Sequence, residues 1–302
     1  MKISSLVITT LTTVSLMFAT TAFAAHHGDE AKAEHKNDVT VMIDLASALE
    51  AQDDKAKARY QYRNPKQTLE YFGIEPGMKV LEALPGGGWY SKILLPYLGE
   101  NGHLLGVDYA IEMWPHFGGF ANEKFMEKKK RWTTTWVEEA QPWRGETGAS
   151  VSAATFSTMP SDIDGTLDAA LFIRASHNMA RFSDKGNYLG DAMSATYKAL
   201  KPGGIVGIVQ HKAREDRPDS WAAGSNGYLK KSTIMQTMKT AGFEFVGESD
   251  INANPKDQAG EGDIVWRLPP SLSGAKDNEE LKAKMLAIGE SNRMTLKFRK
   301  PS

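Results

Sequence analysis

The stretch VLEALPGGGWY, Val80 to Tyr90, decides how the chain is read. A short apolar run, Met78, Val80 and Leu81, meets the acidic Glu82 and then three consecutive glycines, Gly86, Gly87 and Gly88, before an amphipathic pattern begins. That order predicts strand, loop, helix. Glycine suits a tight strand-to-helix turn because the backbone angles, and the approach of a ligand, exclude a Cβ. Downstream, Tyr90, Ile93, Leu94, Tyr97 and Leu98 recur at helical spacing and predict one buried face. Pro96 is expected to end or bend that helix early. Gly102 to Asp108, GHLLGVD, then predicts a second strand with an acid at its tip. An acid so placed can accept hydrogen bonds from both hydroxyls of a ribose.

Outward from that centre, 302 residues with 41% hydrophobic content can bury a full core, and the length suits one domain with additions. Lys2, the largely apolar run Leu6 to Phe18, and the small-x-small triplet Ala22-Phe23-Ala24 read as a secretory signal peptide over residues 1–24. Threonines dilute the run and it is short for a span, which argues against an uncleaved membrane anchor. Export is therefore expected, to the periplasm if the source is a Gram-negative bacterium, with no stable membrane insertion after cleavage. A net charge of −1 argues against a dedicated nucleic-acid binder. Zero cysteines exclude disulfides, thiolate metal sites and a cysteine nucleophile.

Residues 25–38 are charged, carry His26, His27 and His35, and have little to bury, which predicts a flexible leader. Those histidines read as polar filler rather than as a metal site. A single domain is expected over 39–302, opening with helices in 39–75: one at Val41–Leu49, another capped by Asn64 with Pro65 first and Gly73 as its stop. From about 112 to 150 lie Trp114, Trp132, Trp136 and Trp143 with the basic run Lys128 to Arg131. This is read as the helix after the second strand plus a rim or lid, the basic run being a solvated face over buried rings. Val151–Phe156 is the candidate third strand. Leu167-Asp168-Ala169-Ala170-Leu171-Phe172-Ile173 reads as a buried strand, continuous rather than alternating, as in a parallel strand covered on both faces. A helix over Leu189–Leu200 stopped by Lys201-Pro202-Gly203-Gly204, a strand at Ile205–Val209, a helix at Ser232–Gly242 capped by its serine, and strands at Phe243–Val246 and Met294–Phe298 follow. A capping box from Asp277 and Glu280 is expected to open the helix between those last two strands.

Alternating strands and helices make an α/β, doubly wound, mostly parallel sheet with helices on both faces, its ligand site at the carboxyl ends of the central strands. Glu82, the glycine loop, Asp108, Phe156 and His177 all fall there. A dinucleotide would put its pyrophosphate on the helix N-terminus. S-adenosylmethionine instead presents an ammonium, a carboxylate and a sulfonium, so an acid at the end of the first strand is an asset rather than a repulsion, and Glu82 favours it.

VLEALPGGGWY, GVDY at 106–109, LDAALFIRASHNM at 167–179, ALKPGGIVGIVQH at 199–211 and the helix ending in AGF resemble the successive landmarks of the class I S-adenosylmethionine-dependent methyltransferases. Within that family the chain resembles, from about Arg59 to Pro301, a small group of exported, predicted methyltransferases with an EPGMKV…PGGGWY stretch and a final RMTLKFRKP strand. The resemblance implies a seven-stranded Rossmann-like sheet whose last strand inserts antiparallel between the two before it. It implies S-adenosylmethionine as cofactor, with Glu82 facing the methionyl amino group directly or through water, Gly86 and Gly88 letting the backbone approach, and Asp108 holding the ribose. The chain departs from the pattern twice: Leu84 stands at the usual first glycine, and the usual acid after strand three is replaced near Thr155 and Phe156, where Phe156 can stack on adenine instead.

His177, just past the fourth strand, is the candidate general base, and a histidine that only shapes the pocket is the alternative. Asn178 and Arg174 are candidates to orient an acceptor, expected to be a small molecule or an envelope component. Two other functions fit the residues less well: a non-catalytic binding or accessory protein on a retained fold, and a nicotinamide-dependent oxidoreductase, for which no hydride-transfer constellation is found.

Overall fold

In the computed structural model residues 43–302 are described; the expected signal peptide, the leader and the start of the Val41 helix lie outside the described residues. Four short helices open the described chain. In α1 (Leu45–Glu50) and α2 (Asp54–Lys57) the first-turn amides are capped by the side chains of Asp44 and Asp53. After α3 (Tyr60–Arg63), α4 (Pro65–Phe72) has Pro65 in its first turn and stops at Gly73, at φ +76°. Asn64 does not cap it: the residue is left-handed, and its side-chain amide donates instead to the Ile251 carbonyl at 2.7 Å.

The centre folds as β1 (Lys79–Ala83), the glycine loop, α5 (Ser91–Leu98) and β2 (His103–Asp108). Pro96 neither ends nor shortens α5, which runs to Leu98. A proline leaves the carbonyl four residues back without its donor, and here the Gln52 side chain supplies one, donating to Lys92 O at 3.0 Å. A 3-10 turn (Ile111–Phe117), α6 (Glu123–Lys130) and α7 (Trp132–Arg144) lead to β3, Ser150–Thr155, with Phe156 just beyond it. Then come β4 (Leu167–Ile173), α8 (Ser176–Arg181), α9 (Tyr188–Ala199), β5 (Leu200–His211), α10 (Lys231–Thr240), β6 (Glu244–Ser249), α11 (Glu279–Ile288) and β7 (Arg293–Arg299).

Three local expectations are corrected. β5 takes in Lys201 to Gly204, so those residues begin a strand as well as end a helix. Ser232 sits inside α10, and its amide and hydroxyl both donate to Glu215, so the cap comes from the preceding loop. Asn278 caps α11 by accepting from Leu281 N at 2.9 Å, in place of the Asp277–Glu280 box; the cap and the orphan donor it serves are both shifted one residue along the chain.

The seven strands form one sheet of order β3-β2-β1-β4-β5-β7-β6, parallel from β3 through β5, with β7 antiparallel to both β5 and β6. This is the Rossmann-like methyltransferase arrangement that the sequence resemblance implied. Alternation along β1 sends Leu81 to one face and Val80 to the other, and both are fully buried because helices cover both faces. Two mid-strand glycines exist for packing: a Cβ on Gly106 would meet the Trp136 ring at 2.5 Å, and one on Gly207 the Phe72 ring at 2.5 Å. Removing a ring so buried costs about 3–5 kcal/mol. Thus α7, which carries Trp136, is a structural crossover on the sheet, while the 3-10 turn and α6 lie beside the switch point. There, at the carboxyl ends of β1 and β4, the strand order reverses and a crevice opens.

Among the described residues no helix is long and apolar enough to cross a membrane, and no group of three or more histidine, aspartate and glutamate side chains could hold a metal ion.

Candidate functional site

The three glycines of the loop serve different ends. Gly86 is exposed at φ +56°, Gly87 faces open space, and Gly88, at φ +76°, is buried so tightly that a Cβ would lie 2.3 Å from Trp143. Leu84, where the resemblance expects a glycine, is itself left-handed at φ +54°. Its amide donates to Val107 O at 2.8 Å, extending the β1–β2 pairing to the loop's first residue. A non-glycine residue there costs roughly 1–2 kcal/mol.

Glu82 lies beneath this loop, buried, with the Ser91 hydroxyl donating to Oε2 at 2.6 Å. Burial pushes its carboxyl up to about 7, and the Ser91 hydrogen bond offsets only part of that. Glu82 is not among the residues that line the cavities described below.

Asp108 does line one. A cavity of about 330 Å³ runs over Leu84, Pro85 and Gly86 to Asp108 and Asn178, walled by the rings of Trp114, Phe117, Phe120 and Trp132. Asp108 Oδ1 accepts from Tyr109 N at 2.8 Å and Oδ2 from Lys129 Nζ at 2.7 Å. Burial raises its carboxyl, and the Lys129 ammonium opposes the rise. The same ammonium lies 3.9 Å from the Trp114 ring centroid.

Phe156 stacks on Phe172 at 5.8 Å and lines a smaller neighbouring cavity of about 150 Å³ with Ala110 and Met113. His177 lines a third, of about 270 Å³, with Arg174, His211 and Trp266, and Leu84 belongs to this cavity as well as to the first. The His177 ring lies 5.4 Å from that of His211 and 5.9 Å from Trp266, with Nδ1 3.4 Å from Gln210 Oε1. Burial lowers His177 to about 4, the neighbouring arginines acting in the same direction, and it holds His211 well below the ordinary imidazole range. The fold therefore gathers Gly86 and Asp108 in one chamber and His177 in the next, with Leu84 lining both; Glu82, Gly87 and Gly88 are not among the residues lining either.

Sequence reasoning missed Lys129 by placing the whole basic run on a solvated face. Lys128, Lys130 and Arg131 are exposed, whereas Phe125, Lys129, Trp132 and Trp136 share a spacing of four, three and four that marks the inward stripe. It missed also that Arg59, Arg63 and Arg293 converge on Glu290, since the four residues come from opposite ends of the chain.

No protein-family description matches the sequence, and no curated protein matches it. Solved structures with a similar fold include the cyclase SpnF, 15% identical with a TM-score of 0.47 over 80% of each chain. An S-adenosylmethionine-dependent methyltransferase from Aquifex aeolicus is 14% identical, TM-score 0.47, over 85% of this chain and 98% of that one. An arsenic(III) S-adenosylmethionine methyltransferase from Chlamydomonas reinhardtii is 13% identical, TM-score 0.43, over 85% and 73%. The fold assignment rests on strand order and register, not on these likenesses.

Proposed function

We propose that this chain is an exported S-adenosylmethionine-dependent methyltransferase acting on a small-molecule or envelope acceptor. One observation carries the reading: at the switch point of a sheet of order β3-β2-β1-β4-β5-β7-β6, the acid ending β2 and the glycine loop after β1 line the same ring-walled cavity. The donor set fits the cofactor. A carboxylate accepts from a pair of ribose hydroxyls, Gly86 leaves the loop backbone open to a ligand, and aromatic faces suit a purine and attract a cation.

S-adenosylmethionine would supply a methyl group on a sulfonium, open to in-line displacement. Asp108 and the loop would bind and orient it, and the neighbouring chamber would present the acceptor. Such positioning can be worth ~7–11 kcal/mol. His177, held at about 4, is neutral at pH 7 and a weak base, so it suits orienting the acceptor by a hydrogen bond better than removing its proton.

The binding-protein reading is favoured by one observation, that Asp108 is already engaged by Lys129. Calorimetry with S-adenosylmethionine and S-adenosylhomocysteine on the wild-type chain, Asp108→Ala and Glu82→Ala separates the two. Micromolar binding lost in both variants supports the enzyme; a folded wild-type chain that binds neither compound leaves the binding protein.

A further inference from the structure

The chamber beside His177 sits against an unusual charge arrangement. Four guanidinium groups, Arg59, Arg63, Arg174 and Arg293, surround one carboxylate, Glu290. Arg59 and Arg293 donate to its two oxygens, the latter at 2.6 Å, and Arg63 Nε stands 3.3 Å away while its guanidinium covers the Trp89 ring at 4.6 Å. Arg293 is further tied to Ser291 Oγ and Tyr62 O, both at 3.2 Å. Glu290 is thereby saturated. The guanidinium of Arg174 makes no hydrogen bond and no close ion pair with any described residue, feeling the Glu290 carboxylate only at longer range, and it lines the chamber.

Other groups nearby do not balance the charge. His177 and His211 are neutral at pH 7, and the Tyr90 hydroxyl is pushed up to about 12 by burial. Arg174 is held in place at a cost. It follows β4 in a left-handed conformation at φ +60°, and Leu84, across the same chamber after β1, is left-handed too. Non-glycine residues kept in that region mark positions where the surrounding structure imposes the geometry. A planar guanidinium fork with free donors matches the two oxygens of a carboxylate or a phosphate. The rest of the wall is mixed: Leu84, Ile173, Trp266 and Pro269 give it an apolar side, while Ser271, Ser291 and the Glu290 carboxylate, already held by Arg59 and Arg293, line it too; about 270 Å³ equals roughly nine water volumes.

We infer that this chamber binds a small amphiphilic oxyanion, its carboxylate or phosphate on the Arg174 guanidinium and its apolar body against Trp266. The inference deepens the reading above by naming the acceptor's chemical class, and rests on that reading only for calling the occupant an acceptor. Arg174 is a binding residue in it, and His177 stands beside the anion.

Benzoate, phenyl phosphate and the neutral isostere benzamide, titrated into the full chain by calorimetry, test it. At least one of the two anions is expected to bind with a millimolar or tighter dissociation constant and benzamide at least about tenfold more weakly; which anion binds tighter tells carboxylate from phosphate. Arg174→Gln, its folding checked by circular dichroism, should weaken the anion about tenfold or more, and Arg174→Lys, which keeps the charge and loses the fork, by several-fold. Should Arg174→Gln fail to fold, the benzamide comparison on the wild-type chain and the Arg174→Lys result decide. Saturation by neither anion, benzamide binding equal to benzoate, or full affinity in a folded Arg174→Gln overturns the inference. S-adenosylhomocysteine titrated into the same preparation keeps the two readings apart. Its binding without anion binding overturns only this inference, and anion binding without it overturns only the methyltransferase.

Discussion

Lys129 Nζ lies 2.7 Å from Asp108 Oδ2 and 3.9 Å from the ring centroid of Trp114, so the acid at the tip of β2 is neutralised by the helix that borders its own cavity. Asp108 is buried and Lys129 mostly so, which makes the pair costly to break from one side. Lys129→Ala is expected to lower stability by about 2–3 kcal/mol in denaturant titrations, less than for a fully buried pair because part of the lysine meets solvent. If the ammonium competes with a ribose, the same variant binds S-adenosylhomocysteine more tightly in calorimetry. Weaker binding would instead make Lys129 part of the ligand site.

Glu82 should make the fold less stable as the pH rises. Its carboxyl is raised to about 7 in the folded chain from an ordinary 4.5, so below pH 4.5 both states hold the proton and nothing is lost. Between 4.5 and 7 the unfolded chain ionises first, and the penalty grows to roughly 3 kcal/mol. Glu82→Gln removes it while keeping an acceptor for the Ser91 hydroxyl. Denaturant midpoints of the two proteins should converge near pH 4 and separate towards pH 7, with the variant higher; parallel curves would mean that Glu82 is ionised in the fold.

His177 acts at the opposite end of the scale. Its folded value of about 4 lies below the ordinary 6.5, so it contributes stability that is present above pH 6.5 and lost as the pH falls towards 4. At pH 5 the loss is about 2 kcal/mol. His177→Gln should flatten this part of the stability profile, read by thermal unfolding in buffers from pH 7 to pH 4. An unchanged slope would assign the acid sensitivity elsewhere, with His211 the next group to substitute.

Adjacent glycines should respond very differently to one methyl group. Gly88→Ala places a Cβ 2.3 Å from Trp143 at φ +76° and is expected to cost about 3 kcal/mol or more, whereas Gly87→Ala meets nothing and should change stability by less than about 0.5 kcal/mol. Melting temperatures of the two variants check this. Comparable losses would mean that the loop moves as a unit and that Trp143 does not fix Gly88.

The sequence by itself determined the sheet, the position of the glycine loop, and Asp108 at its edge. Those features are written in local order: a continuous apolar run such as Ala169 to Ile173 suits a strand covered on both faces, and the acid at the tip of β2 stands at a fixed place relative to the strand it ends. Capping details and helix ends were less legible, because the donor that rescues Pro96 comes from Gln52, some forty residues away in the chain. Only the tertiary structure decided who partners whom. Lys129 looked like one of several solvated cations until α6 was laid beside β2, and the grouping of Arg59, Arg63, Arg174 and Arg293 about Glu290 requires β7 to slide between β5 and β6. Charge pairing acts through space with almost no local signature in the chain, whereas a strand or a glycine turn is imposed by neighbours in sequence; for that reason the frame could be read from the residues in order and the contents of its two chambers could not.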